Sequence, residues 1–197
     1  MPNGNSVLFA PARTAPMSTV IGIECAGGVV LAGDRTETRG GSITSTSKDR
    51  VFDLGEVGAA VVGASSGVDE FERRLDAERR EYETTRGPLR IDALERIASD
   101  LAGELDVSAL IAGLDDDGVA RLGQVSADGG TLDDRTAALG SGTELAYGGL
   151  EGVDADTSLD EAAETAREIM RTVAERDTET GEDIDLYRLP SEGNDGA

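Results

Sequence analysis

Two segments far apart in the chain carry residue types that could perform covalent chemistry. The first runs from Ser18 to the dipeptide Asp34-Arg35, and the second is the Gly-Ser-Gly tripeptide at 140–142. A serine hydroxyl becomes an effective nucleophile when a nearby base accepts its proton. The chain has no histidine, which removes histidine as that base and makes a zinc site improbable. Taken alone, the two segments are equally typical of a strand start, a local ion pair and a tight turn.

The elements that must position these residues begin with a set of strands. Thr19 to Glu24 and Gly28 to Ala32 are predicted to form a hairpin around a glycine turn. A second turn at Gly40-Gly41 precedes a strand from Ser42 and another at 50–52, and the apolar run 58–63 predicts a buried strand. Further strands are expected at 108–113, at 119–125, before Gly140 and at 184–189.

Helical periodicity appears twice. Apolar residues at helical spacing predict two amphipathic helices between residues 68 and 105, separated near Gly87. A second pair is expected from Thr143 and from the capping box that starts at Ser158, whose helix reaches Glu175 and is ended by Gly181. Each sheet then has one helix-covered face and must bury the other. The predicted fold is α+β, a four-layer α-β-β-α sandwich.

Composition limits the partners and the compartment. The 40 acidic and 18 basic residues give a net charge of −22, which repels nucleic acid and anionic membranes, so neither is expected as a partner. Lys48 is the only lysine, and with the acidic excess this favours a protein from a salt-rich cytoplasm over an ordinary acidic protein. Cys25 has no cysteine partner, which agrees with a reducing interior. A cytoplasmic protein without a cofactor or metal is expected, since no such motif is present.

The two segments together resemble the proteasome β-type subunit family. In that family a small hydroxyl residue opens a strand, a hairpin returns to an Ala-x-Asp-Arg corner, and a Gly-Ser-Gly turn supports the site. The resemblance covers roughly residues 18–189 and implies the sandwich of the N-terminal-nucleophile hydrolases. It also implies a homo- or hetero-oligomeric ring of β-type and possibly α-type subunits that degrades unfolded polypeptides. Residues 1–17 would be an amino-terminal extension or propeptide, 18–190 the β-like domain and 191–197 a disordered acidic tail.

The resemblance also assigns roles. Ser18 falls at the family's nucleophile, and its α-amine, freed by removal of the preceding peptide, would be the base. Asp34 matches the buried acid, Gly63 the oxyanion donor, and Ser141 would hydrogen-bond the new amine. Further matching positions are Asp177 and Thr180 in the catalytic region, and Glu37, Thr38, Lys48 and Val61 in the substrate-binding region.

Besides Ser18, which stands where the family has its nucleophilic threonine, two positions depart from the family pattern. Arg50 stands where the family has a lysine; it keeps the positive charge but is expected to form a forked pair with Asp34. Lys48 could substitute, although an ion pair with Glu37 is the favoured role. Met17 replaces the glycine that precedes the nucleophile in self-cleaving members, and translation starting at Met17 would expose Ser18 directly.

The leading functional hypothesis is an endopeptidase that acts through an acyl-enzyme on Ser18. Its rival is a non-catalytic ring subunit with an assembly or regulatory role, because the departures lie at the most demanding positions. A small-molecule amidase would share the fold, but no residue pattern in the sequence supports its substrate.

Overall fold

The computed structural model describes residues 18–39 and 42–193. In these ranges eleven strands and four helices alternate in the predicted order. The strands are β1 (Thr19–Cys25), β2 (Gly28–Asp34), β3 (Glu37–Arg39), β4 (Ser42–Ser45), β5 (Val51–Asp53), β6 (Gly58–Val62), β7 (Ser108–Leu114), β8 (Ala120–Val125), β9 (Thr131–Leu132), β10 (Thr136–Gly140) and β11 (Ile184–Pro190). The helices are α1 (Ser65–Arg86), α2 (Ile91–Leu105), α3 (Thr143–Leu150) and α4 (Leu159–Ala174).

The strands form two main antiparallel sheets, ordered β10-β1-β2-β11 and β5-β6-β7-β8-β9, while β3 and β4 form a separate pair. Helices α3 and α4 pack on the first sheet, and α1 and α2 pack on the second. A third apolar cluster, which includes Val20, Leu31, Leu110 and Leu122, fills the space between the sheets. The predicted α-β-β-α sandwich is confirmed, with the core divided among its three interlayer spaces.

The first hairpin is buried on both faces, which explains why its sequence is almost continuously apolar. Side chains alternate along a strand, so Val20 and Leu31 face the second sheet while Ile21 and Val30 face the helices. The strand register pairs Thr19 with Gly140. That pairing brings the two chemically interesting segments of the sequence together at one end of the sheet.

Helix α4 begins where the sequence predicts but ends earlier than predicted. Ser158 and Glu161 form a reciprocal capping box at its start. The helix ends at Ala174, so the prediction that Gly181 terminates it is wrong. The intervening loop is held by its own hydrogen bonds, from Asp177 N to Val173 O and from Thr180 N to Asp177 O. Gly181 is thereby placed beside β2 instead of at the helix end.

The chain ends of the predicted domain are only partly described. The extension 1–17, including Met17, the Gly40-Gly41 turn and residues 194–197 lie outside the described residues. Ser191 N donates to Gly27 O and Glu192 N donates to Gly118 O, so the predicted disordered tail is wrong at its first residues. No helix in the described ranges combines the length and apolar character that a membrane span requires.

A pair of carboxyl groups connects α2 to the segment between β9 and β10. Glu95 shares a side-chain hydrogen bond with Asp133. Burial and the neighbouring Asp133 charge raise the pKa of Glu95 from 4.5 to about 7, with a smaller contribution from Asp92 and an opposing one from Arg96. The folded chain therefore holds this proton more tightly than the unfolded chain does.

Glu95→Gln is expected to flatten the pH dependence of stability on the acid side of neutrality. Because the folded pKa is the higher one, the stabilisation is complete below about pH 4.5 and is lost as the pH rises to about 7. Thermal unfolding midpoints in high potassium chloride, measured between these pH values, should fall less in Glu95→Gln than in the wild type. The same substitution at the exposed Glu78 should retain the wild-type slope. Parallel curves for Glu95→Gln and the wild type would contradict the proton-sharing pair.

Candidate active site

Asp34 is a completely buried carboxylate at the end of β2. Its Oδ1 accepts a hydrogen bond from Thr19 N at 2.8 Å, and its Oδ2 accepts from Thr36 N at 2.9 Å and Gly181 N at 2.8 Å. Burial raises the pKa of Asp34 above its ordinary value, although these N–H groups and the Arg50 charge act in the opposite direction. The carboxylate fixes the start of β1 against the β2–β3 corner and the loop after α4.

Asp177 is the centre of a second hydrogen-bond network on the same end of the sheet. The hydroxyls of Ser141 and Thr180 each donate to its Oδ2 at 2.6 Å, and Glu179 N donates to its Oδ1 at 3.1 Å. Burial raises the pKa of Asp177, but these donors outweigh it, so the pKa lies below its ordinary value. Asp177 is therefore an ionised acceptor that orients two hydroxyl groups.

The direction of the protons in this network follows from the donor count. A threonine hydroxyl has one hydrogen, and Thr180 gives its hydrogen to Asp177. In the 2.7 Å contact between the Thr19 and Thr180 hydroxyls, Thr19 must then be the donor. Thr19 Oγ1 in turn accepts from Gly142 N at 2.9 Å. The hydroxyls of Ser141 and Thr180 keep unshared lone pairs that can accept an additional N–H group.

Ser18 lies immediately before β1 and is completely buried. Its carbonyl oxygen accepts a hydrogen bond from Ser141 N at 3.1 Å. Within the described part of the chain, the Ser18 Oγ has no hydrogen-bond partner. The close approach depends on Gly140, whose φ is +114° and where an added Cβ would lie 1.8 Å from the Ser18 carbonyl oxygen. The predicted nucleophile and the Gly-Ser-Gly turn are therefore in direct contact through their backbones.

Arg50 lies just before β5, and only 2% of it is exposed. Its Nη2 donates to Thr36 O at 3.4 Å, whereas its Nε and Nη1 have no partner among the described residues. The predicted forked pair with Asp34 is wrong, because the Asp34 oxygens already accept the three backbone N–H groups. Burial lowers the pKa of Arg50, and the field of nearby carboxylates, Asp34 first, acts in the opposite direction.

Lys48 and Glu37 do not form the predicted ion pair. The Lys48 ammonium pairs instead with Asp69, in the first turns of α1, and also contacts Ser65 O at 3.4 Å. Asp69 is within reach because the connection between β4 and β5 runs past the start of that helix. Glu37 lies on β3. The pairing of Lys48 therefore ties the loop between β4 and β5 to α1.

Gly63, Thr38 and Val61 are the remaining predicted positions. Gly63 follows β6 with φ +149°, and an added Cβ would lie 2.8 Å from Val107 Cγ1, so glycine is needed there for structural reasons as well. Thr38 on β3 is buried, and its hydroxyl has no partner among the described residues. Val61 is completely buried in the core under α1 and α2.

Sequence reasoning missed two groups of the site. Thr19 connects the start of β1 to both carboxylate networks, and Gly181 supplies one of the three donors to Asp34. The only sequence feature that could have pointed to Thr19 was its own hydroxyl group, next to Ser18. The role of Gly181 depends on a backbone N–H, which is a group that every residue except proline carries, so its residue type gave no signal.

The four-layer sandwich is that of an N-terminal-nucleophile hydrolase, and comparison with known proteins gives the family. A family model described as "Proteasome subunit" matches residues 17–189. A proteasome subunit beta of Halorhabdus utahensis is 33% identical over 183 residues, which cover 89% of this chain and 78% of that protein. Its counterpart in Natrialba magadii is 34% identical over 185 residues, 90% of this chain and 76% of that protein. Proteasome subunit beta 2 of Haloarcula marismortui is 33% identical over 183 residues, 89% and 79% of the two chains. This chain belongs to the proteasome β-subunit family.

Proposed function

We propose that this β-type subunit is an N-terminal-nucleophile endopeptidase with Ser18 as its nucleophile. The observation that carries the proposal is the Asp177 network. Ser141 and Thr180 donate their hydroxyl protons to Asp177, and Thr180 also accepts from Thr19, so each hydroxyl still has a lone pair that can accept an N–H group. The backbone of Ser141 is already bonded to Ser18. A free α-amine on Ser18 would therefore have two oriented acceptors in its neighbourhood.

The chemistry of such a site requires no histidine. The neutral α-amine, with a reference pKa of about 8, accepts the proton of Ser18 Oγ while that oxygen attacks a peptide carbonyl. The Gly63 N–H would stabilise the oxyanion of the tetrahedral intermediate. Collapse of the tetrahedral intermediate breaks the peptide C–N bond, and the α-ammonium of Ser18 returns the proton to the departing amine. Water then hydrolyses the Ser18 ester. The Arg50 charge would lower the pKa of the α-amine and keep a larger fraction neutral.

A non-catalytic ring subunit is the second candidate, and Arg50 is the observation that favours it. The guanidinium does not pair with Asp34 within the described residues, and it cannot exchange a proton near neutral pH as an amine can. Such a subunit would serve assembly or regulation. In both cases we propose a cytoplasmic homo- or hetero-oligomeric ring with β-type and possibly α-type subunits; the endopeptidase would act on unfolded polypeptide.

Intact-mass analysis of the natively produced protein, combined with a hydrolysis assay, distinguishes the two candidates. The endopeptidase proposal expects a chain that starts at Ser18, a native mass of many subunits in molar potassium chloride, and cleavage of an unfolded, labelled polypeptide. A chain that retains residues 1–17 and cleaves nothing supports the second candidate. A chain that starts at Ser18 and forms the oligomer, yet cleaves nothing, would contradict the endopeptidase proposal directly.

A further inference from the structure

Three candidate-site side chains contain buried polar atoms without hydrogen-bond partners in the described part of the chain. They are the Oγ of Ser18, the Oγ1 of Thr38, and the Nε and Nη1 of Arg50. All three residues are at most 3% exposed. Buried polar groups in folded proteins are nearly always satisfied by protein, water or ligand, because an unpaired one is costly. Each of these four atoms carries a hydrogen that it can donate, so each calls for an acceptor, and Arg50 alone contributes two of them.

The Arg50 guanidinium is the charged member of this group, and no ion pair offsets its charge within the described residues. It is anchored through Nη2 to Thr36 O. Asp34 directs both oxygens at backbone N–H groups, and Asp69 is paired with Lys48. The charges of Asp34, Glu37 and Asp69 act on Arg50, yet within the described residues no oxygen accepts from Nε or Nη1, and a buried donor without an acceptor is costly. The donors Nε and Nη1 are therefore available to an anion.

We propose that Arg50 binds a halide ion, which would be chloride in a salt-rich cytoplasm. A halide only accepts hydrogen bonds and has no preferred direction, which suits guanidinium and hydroxyl donors. A monatomic ion also suits a site in which Arg50 is 2% exposed, whereas a peptide carboxylate would need the site to open. The nearby charges of Asp34, Glu37 and Asp69 oppose the ion, so weak binding that saturates only in concentrated salt is expected. This site does not depend on whether Ser18 is catalytic.

Bromide diffraction tests the proposal directly. Crystals of the wild-type protein grown in potassium bromide should show an anomalous scattering peak within hydrogen-bond reach of Arg50 Nε and Nη1. Arg50→Met, which removes the donors while keeping an apolar stem, should lack the peak. The same substitution at Arg167, a partly exposed arginine on α4 paired with Glu164, should retain it. A water molecule or an empty position at Arg50 in the wild-type crystals would overturn the proposal.

Thermal unfolding in solution gives an independent readout that involves no peptide hydrolysis. Wild-type protein in potassium chloride is compared with the same protein in potassium gluconate at equal molarity, and Arg50→Met is measured in both. The difference in unfolding temperature between the two salts is measured for Arg50→Met and subtracted from the same difference for the wild type, which removes the general salt effect. A bound ion at about ten times its dissociation constant should leave about 3–6 °C of chloride-specific stabilisation in the wild type. Arg167→Met should behave like the wild type, and equal differences for wild type and Arg50→Met would overturn the site.

Discussion

Replacing Ser18 with alanine is expected to abolish peptide hydrolysis while leaving the fold intact, with a loss on the order of 10⁴-fold or more if the hydroxyl is the nucleophile. The Ser18 Oγ forms no hydrogen bond within the described residues, so its removal breaks no hydrogen bond there. The structural hydroxyl at this end of β1 belongs to Thr19. Hydrolysis of an unfolded polypeptide in molar potassium chloride, with circular dichroism to check the fold, measures the effect.

Two further variants distinguish the loss of a nucleophilic hydroxyl from the general effect of truncating a serine side chain. Ser18→Thr keeps a hydroxyl and should keep activity, together with covalent labelling of the Ser18-containing peptide by an electrophilic inhibitor, measured by mass spectrometry. Ser42→Ala, the same truncation at an exposed position on β4, should change neither. Undiminished hydrolysis by Ser18→Ala would remove Ser18 from the mechanism and require a different nucleophile.

Gly140→Ala is expected to cause the largest loss of stability among single-methyl additions near the site. The added Cβ would lie 1.8 Å from the Ser18 carbonyl oxygen and 2.9 Å from Thr19 Cα, and the φ of +114° is itself unfavourable for alanine. Both obstacles are backbone atoms, so the strands must separate. A destabilisation of more than about 4 kcal/mol, or failure to fold, is expected. Chemical denaturation at constant potassium chloride measures it.

Gly148→Ala on α3 is the matched control for this prediction. Apart from its chain neighbours and the backbone of its own helix, no atom lies within 4 Å of the position where its Cβ would be, and alanine is favoured over glycine in a helix by up to about 1 kcal/mol. Gly148→Ala should therefore be as stable as the wild type or slightly more stable. A Gly140→Ala protein with wild-type stability would show that β1 and β10 do not need the observed close approach.

Most of the architecture could be predicted because its signals are local and repeated. Apolar strands bounded by glycine, helical periodicity in α1 and α2, and the capping box at Ser158 each depend on neighbouring residues alone. The strands β3 and β9, with three and two residues, are too short to produce a pattern. Gly181 was misread because a glycine after a helix is typical of a helix end, whereas here its backbone N–H serves Asp34.

The sequence could name candidate residues for the site, but it could not give their pairing. Ser141, Asp177 and Thr180 are hydrogen-bonded together in the fold, and their catalytic role stays a prediction. The Arg50–Asp34 and Glu37–Lys48 pairs do not form, because each charged group has a competitor that becomes adjacent only in the fold. Asp34 accepts hydrogen bonds from backbone N–H groups instead of from the Arg50 guanidinium, and the Lys48 ammonium pairs with Asp69 on α1. The sequence shows which charged residues are present, but only the fold gives the distances that determine which of them form ion pairs.

The Asp34 carboxylate also sets the order of events during synthesis. It is bonded to Thr19, only 15 residues away, and to Gly181, 147 residues away. A growing chain emerges from its amino end, so contacts with so large a separation must wait for the late residues. Asp177 and Thr180, which hold the hydroxyl network, emerge equally late. The candidate nucleophile therefore leaves the ribosome long before its surroundings are complete, and any activity is delayed until translation is nearly finished.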